Sequence, residues 1–315
     1  MTSILPFIFF ASTLFIASGC TATRIETTTA SLGRSIDMTE MLKIAHQPGP
    51  IVWKKHLAAR WSVPLSGLLN LDHPRALAAG LTDQETPIEI YVYSILHPSY
   101  GHFIVDSGVS ANFDNPAEND DLASLVKMAM NTDALKLLKS TAAVEQEYGD
   151  IQGVFLTHIH LDHIMGGKDL QPQTPVYVGH GDVQLRSFSN LFTQGTTDRL
   201  LGDQTILNEW VYEDDKPIDI FGDGSVFAIP APGHTPGSTV YLVRTTQGPQ
   251  LMVGDVSHTK WGWENAVEPG TYSEDQDLSA VSLQKMIQLA SQIENVKVHP
   301  GHQSLEVVTN TKEVE

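Results

Sequence analysis

His158-Ile159-His160-Leu161-Asp162-His163 places three imidazoles and a carboxylate within six residues. Val154-Phe155-Leu156-Thr157 precedes it, an apolar run of strand length and composition, and Gly166-Gly167 follows. A strand that feeds such a stretch delivers it to a loop held by a rigid scaffold. The glycines let that loop turn tightly or approach a partner closely. Imidazole and carboxylate are the usual ligands of zinc and similar borderline ions. On an extended backbone alternate side chains point the same way, so His158 and His160 can grip one ion. Asp162 and His163, where the chain turns, are left to face a second. A lone histidine in a soluble domain is usually structural or exposed. Four candidate ligands at one strand end are not explained that way.

Three later segments repeat the arrangement. Ser225–Pro230 runs into Ala231-Pro232-Gly233-His234-Thr235-Pro236-Gly237. Leu251-Met252-Val253 runs into Gly254-Asp255, and Val296-Lys297-Val298 into His299-Pro300-Gly301-His302. Each puts a His or Asp beside glycine at the end of an apolar strand.

With these residues the chain resembles the metallo-β-lactamase-fold hydrolase superfamily, whose pattern is His-x-His-x-Asp-His followed by His, Asp and His. The resemblance spans roughly residues 85 to 305. It implies that His158, His160 and His234 hold one metal ion, that Asp162, His163 and His302 hold a second, and that Asp255 bridges both. An upstream hairpin also matches, Ile90 to Leu96 and then Phe103-Ile104-Val105-Asp106-Ser107-Gly108, which makes Asp106 a residue that orients a ligating imidazole rather than a ligand. His299, His180, His46, His56, His73, His97 and His102 are read as packing or surface residues.

The fold class expected from alternating strand and helix patterns is α/β with large sheets. The resemblance sharpens this to a four-layer αββα sandwich with the metals at one edge. Strands are expected near 88–96, 102–106, 153–157, 175–178, 206–212, 225–230, 238–244, 250–253 and 295–299. Helices are expected near 119–130, 133–147 and 276–292, the last carrying an apolar face of Leu278, Val281, Leu283, Met286, Ile287, Leu289 and Ile293.

Length and charge narrow the function. A chain of 315 residues and ordinary globular composition supports one sizeable core. Its formal net charge of −18 makes it a poor partner for nucleic acid, so a small-molecule substrate is expected. The first residues are almost wholly apolar, too short a run for a confident membrane span but suited to a secretory signal. They end in Ala17-Ser18-Gly19-Cys20, with the only cysteine of the chain. This placement resembles the lipobox of bacterial lipoproteins, and simple secretion and an uncleaved anchor stay open beside it. The expected organisation is a signal peptide over 1–20, a flexible Thr/Ser-rich tether over 21–48, and a hydrolase domain over 49–315. The lipobox reading implies an exported, periplasmic-side lipoprotein whose membrane contact is its N-terminal lipid; oligomeric state is not legible.

The resemblance implies two zinc ions about 3.5–4 Å apart and a bridging hydroxide that attacks a carbonyl or phosphoryl centre. Asp162 or Asp255 would relay the proton. The sequence is most similar to the N-acyl homoserine lactonase group. In that group a tyrosine three residues beyond the bridging Asp holds the substrate carbonyl, and here His258 stands there, an oxyanion donor or a surface residue. Asp255 itself disfavours β-lactam hydrolysis. Trp261, Trp263 and Tyr272 are candidates for an aromatic lid or for ordinary packing, and 109–148 for a second wall of the pocket. Thioester or phosphotriester hydrolysis, β-lactamase activity, iron-dependent sulfur oxidation and a non-catalytic metal protein remain as alternatives.

Overall fold

The computed structural model describes residues 19–115, 119–187, 189–202 and 205–305. The expected signal sequence falls largely outside them, and the helix expected over 119–130 occupies Ser124–Met130.

Two sheets stand face to face. The larger has eight strands in the order Thr27–Thr29, Ile206–Trp210, Pro175–Gly179, Ile151–Phe155, Gly101–Val105, Glu85–His97, Val52–Pro64 and Lys136–Leu137. The smaller has six, ordered Lys297–Pro300, Gly248–Gly254, Thr239–Thr245, Val226–Pro230, Ile218–Asp219 and Arg34–Ser35. Both are mixed. Ile151–Phe155 lies parallel to both of its neighbours, and Lys297–Pro300 lies parallel to Gly248–Gly254.

The period of two in the sequence sets the layers. Along Glu85–His97, Tyr91, Tyr93 and Ile95 face the gap between the sheets, while Ile88, Ile90 and Val92 face outward. Val226 and Ala228 point into that gap and Phe227 and Ile229 away from it; Tyr241 and Val243 alternate likewise with Val240 and Leu242. Three apolar clusters result, one between the sheets and one under each outer helix layer. Helix Gln276–Ser291 and the shorter Met38–Ala45 cover the small sheet, burying Leu283, Met286, Leu289, Met41 and Ala45. Ser124–Met130, Thr141–Tyr148 and Asn190–Leu201 pack on the large sheet through Val126, Val144, Leu200 and Leu201. The architecture is the expected four-layer αββα sandwich. Its middle layer is aromatic: Phe155 stacks with Phe103 at 5.2 Å and with Tyr241 at 5.8 Å, and Tyr177 with Trp210 at 4.8 Å. Each such pair adds about 0.5–1.5 kcal/mol beyond its area burial.

Two expectations need correction. Residues 21–48 are not a flexible tether: Thr27–Thr29 joins the large sheet, Arg34–Ser35 the small one, and Met38–Ala45 is a helix with a buried face. The segment 133–147 is not one helix either, because Lys136–Leu137 pairs with the large sheet before the helix starts at Thr141, capped by the Ser140 hydroxyl. The strand Val52–Pro64 was not expected. A bulge between Leu57 and Ala59 breaks its alternation, and Lys55 lies over the Tyr91 ring at 3.7 Å, so its charge reads as exposed while its stem is packed.

Candidate metal centre

All the expected ligands arrive from strand ends at one edge of the sandwich. Ile151–Phe155 delivers the 158–163 stretch, Val226–Pro230 delivers His234, Gly248–Gly254 delivers Asp255, and Lys297–Pro300 delivers His302. Asp162 and His163 sit on a single helical turn, Leu161–Ile164, which swings them away from His158 and His160.

The side chains form two clusters that meet at Asp255. His158, His160 and His234 compose the first, with His234 Nε2 at 3.2 Å from His158 Nε2 and 2.9 Å from His160 Nδ1. Asp162, His163, Asp255 and His302 compose the second. Asp255 Oδ2 lies 3.7 Å from His158, 3.4 Å from His163, 3.4 Å from His234 and 3.3 Å from His302, measured to Nε2 in each case. One oxygen thus touches both groups, as a bridging ligand must.

The donor chemistry fits metal ions. Imidazole nitrogens at 2.9–3.2 Å put lone pairs against one another, which a cation between them relieves. Burial, reinforced by the surrounding imidazoles, holds His158 and His234 well below the usual histidine range and His160 at about 4, so the three are neutral donors at neutral pH. His163 Nε2 and Asp255 Oδ1 are buried without a hydrogen-bond partner among the described residues. Burial opposes charge on His163 and His302, but the carboxylates outweigh it: Asp106, Asp255 and Asp162 raise His163, and Asp255 and Asp162 raise His302 to about 10. A cation in this cluster replaces those protons.

Backbone and carboxylate contacts fix the rings. His302 Nδ1 is 3.1 Å from the Glu89 carbonyl oxygen, which turns its Nε2 inward. Asp106 Oδ2 is 2.9 Å from His163 Nδ1, and its carboxylate accepts from the Thr157 amide at 2.7 Å and the Thr157 hydroxyl at 3.0 Å. This is the orienting role expected of Asp106. Asp106 sits at φ 55, a conformation asparagine tolerates, so Asp106→Asn tests the charge rather than the fold. The substitution is expected to weaken metal binding about 10–100-fold, read by competition with a chelator; unchanged affinity would remove Asp106 from the site.

Sequence reasoning missed Asp182. It is buried and accepts from the Gly237 amide at 2.8 Å, fixing the loop that carries His234. Nothing in Val178-Gly179-His180-Gly181-Asp182 signals this, because its partners lie far away in the chain. Burial pushes the Asp182 carboxyl up to about 6 from 3.8. Its folded value exceeds its unfolded one, so its contribution is full below about pH 4 and lost as pH rises through 6. Asp182→Asn keeps an acceptor and removes this loss. Relative to wild type the variant is expected to gain about 2–3 kcal/mol between pH 4 and pH 8 in denaturant titrations; a difference independent of pH would contradict it.

His258 is buried, which excludes the surface role. Its Nδ1 lies 3.0 Å from the Leu68 carbonyl oxygen and its Nε2 3.1 Å from Asp255 Oδ2, and with His234 and Asp255 it forms a third compact group. His299 is packing, as expected: it lies against Trp53 and Tyr93, with Nε2 2.9 Å from Gln250 Oε1. His180 is exposed. His56 and His102 share the Ser94 hydroxyl away from the cluster.

A cavity of about 570 Å³ opens on the cluster. His160, Asp162, His234, Asp255, His258 and His302 line its floor, and Trp61, Val63, Leu68, Ile88, Met130 and Leu161 its apolar walls. Ala129–Asn131 bears out the expected wall from 109–148. The aromatic lid is corrected: Tyr272 lines the cavity, whereas Trp261 and Trp263, on helix Lys260–Asn265, pack against the outer cores. Trp61, from the unexpected strand, supplies the aromatic wall instead.

A sequence model of the metallo-beta-lactamase superfamily matches residues 89–302, from the hairpin to the last ligand. The chain belongs to that superfamily. It is similar to the N-acyl homoserine lactonase AttM of Azorhizobium caulinodans, with 28% identity over 226 residues covering 70% of this chain and 83% of that protein. The AttM lactonase of Agrobacterium fabrum is 26% identical over 210 residues, 65% of this chain and 77% of the other. The crystal structure of a quorum-quenching N-acyl homoserine lactone lactonase superposes with a TM-score of 0.59 at 18% identity, covering 85% of this chain and 98% of that one. The last comparison speaks to the fold alone.

Proposed function

We propose that this hydrolase is a dinuclear zinc enzyme acting on lactone or ester carbonyls, with N-acyl homoserine lactones as its substrate class. The observation that carries the reading is the junction of the two ligand clusters with an apolar-walled cavity wide enough for an acyl chain. His158, His160 and His234 would hold one ion, Asp162, His163 and His302 the other, and Asp255 both. Bound there, zinc would supply an activated water near neutral pH and polarise the carbonyl oxygen.

The chain's own groups do the rest. Asp162 lies at the cavity floor with its side chain 19% exposed, the only part-open carboxylate of the cluster, and is placed to accept the proton of the attacking water. The acyl carbon–oxygen bond then breaks and Asp162 returns the proton to the departing alkoxide. His258, standing where the lactonase group has tyrosine, is held by the Leu68 carbonyl through Nδ1 and by Asp255 at Nε2, and its ring shapes the cavity floor beneath the substrate carbonyl. Trp61, Val63, Leu68 and Ile88 receive the acyl chain. The same reading exports the enzyme and attaches it to a membrane through the apolar N-terminal run that ends at Cys20.

Proton release by the zinc-loaded full chain on a series of acyl homoserine lactones tests this. Specificity (kcat/KM) is expected to rise about threefold to fourfold per added methylene until the cavity is filled, since each buried CH₂ is worth about 0.8 kcal/mol. Turnover of thioesters or phosphotriesters and none of lactones, with both zincs bound, would overturn the substrate and keep the scaffold.

A further inference from the structure

We propose that the mouth of the substrate cavity lies against a lipid bilayer, seated by an apolar rim on helices Ser124–Met130 and Asn190–Leu201. The proposal rests on membrane attachment through the N-terminus and not on the identity of the substrate.

The entry point of the chain carries the argument. Residues 19–22 do not dangle: the Cys20 carbonyl accepts from the Ser187 amide at 3.2 Å and from Asn190 Nδ2 at 3.1 Å. Gln194 Nε2 donates to the Thr21 carbonyl at 2.9 Å, and the Ala22 amide to Val183 at 3.2 Å. Ala22 and Asn190 themselves line the cavity. The described chain therefore enters the fold at the cavity rim, and in sequence the apolar run of residues 4–16 lies only a few residues before it. At no more than about 3.6 Å per residue, the few residues between that run and Cys20 leave the bilayer little room to stand elsewhere. This holds for a lipid on Cys20 and for an uncleaved anchor alike.

The rim suits that neighbour. Leu125 is 49% exposed, Met128 74%, Leu191 48% and Phe192 51%. The two helices are joined where the Ala123 amide donates to the Thr196 hydroxyl at 3.3 Å, and Met130 and Asn190 both line the cavity between them. Exposed apolar clusters beside an opening mark contact surfaces. The charge at the rim is close to balanced: Asp198, on the second helix, pairs with Arg24 at 2.6 Å, and Asp121 and Asp133 flank the first helix, while the stretches 122–132 and 183–197 hold no Asp or Glu and carry Lys127 and Arg186. Exposed Arg186, beside the point where the chain enters the fold, stands where lipid phosphates would be. A substrate with an acyl chain would then enter from the bilayer rather than through water.

Bromolipid quenching tests the surface without any substrate. The full chain would be reconstituted in phosphatidylethanolamine–phosphatidylglycerol vesicles with brominated acyl chains, carrying Met128→Trp, Leu191→Trp as a second reporter, or Leu77→Trp as a control exposed away from the cavity lining. The emission added by the first two is expected to fall by about half or more, with the control unchanged. Equal quenching at all three sites, or none at the rim, overturns the proposal; a rim covered by a second copy or by residues 1–18 would give the latter. A loss of lactone turnover would leave this readout untouched.

Discussion

Replacing Asp255 by asparagine is expected to lower kcat/KM about 1,000-fold or more and to take bound metal from two ions per chain to one or fewer. The size of the effect follows from position. Counting His258, Asp255 Oδ2 faces five imidazole nitrogens at 3.1–3.7 Å, more than any other carboxylate among the described residues. His258, His302 and His163 hold the Asp255 carboxyl well below its usual range although burial alone would raise it, so it is the anion on which the cluster is built. Asparagine is nearly the same shape, but it is neutral and offers one oxygen. The variant should keep its fold by circular dichroism while elemental analysis reports the loss of metal. Two ions and wild-type turnover would mean that Asp255 bridges nothing.

Gly301→Ala should do the same kind of damage, about a tenth as large, without replacing a ligand. A Cβ on Gly301 would stand 2.0 Å from Asp255 Oδ1 and 3.2 Å from its Cγ. The backbone there is not left-handed, so the obstacle is space. Its neighbours cannot simply yield, because the Gly301 amide donates to Ser257 at 3.0 Å and the adjacent His302 amide to His258 at 3.0 Å. The carboxylate must move, and a shift of about 1 Å in such a site costs on the order of 100-fold in rate. Metal content and kcat/KM should fall together. An alanine variant with full metal and full activity would show that Asp255 has slack the geometry does not provide.

What the sequence disclosed and what it hid divide along physical lines. The candidate ligand residues were legible because four local segments each pair an apolar strand with a His or Asp beside glycine. The middle and small-sheet strands were legible because Tyr91, Tyr93, Val226, Tyr241 and their alternate neighbours keep a period of two with both faces buried. Val52–Pro64 escaped because its bulge and its lysines disguise that period, and with it went Trp61 and the true aromatic wall of the cavity. Helix Asn190–Leu201 escaped because Asn-Leu-Phe-Thr-Gln-Gly-Thr-Thr has neither strong propensity nor a clean apolar face; tertiary contacts through Leu200, Leu201 and Thr196 hold it. Residues 21–48 read as a tether because two- and three-residue edge strands carry no periodicity, and their order comes from partners near residues 207 and 218. Asp182 and the buried state of His258 depend wholly on such distant contacts. No local pattern announces them.

The central claim is that two metal ions, held jointly, make the hydrolytic site. Its most direct test strips the protein with chelator, returns zinc in measured equivalents, and follows bound metal and lactone hydrolysis on the same sample. The expected result is inactive metal-free protein and turnover that reaches its maximum only at two zincs per chain. Full activity at a single zinc, or an iron-dependent uptake of oxygen, would contradict it; two bound zincs with no lactone hydrolysed would overturn the substrate alone.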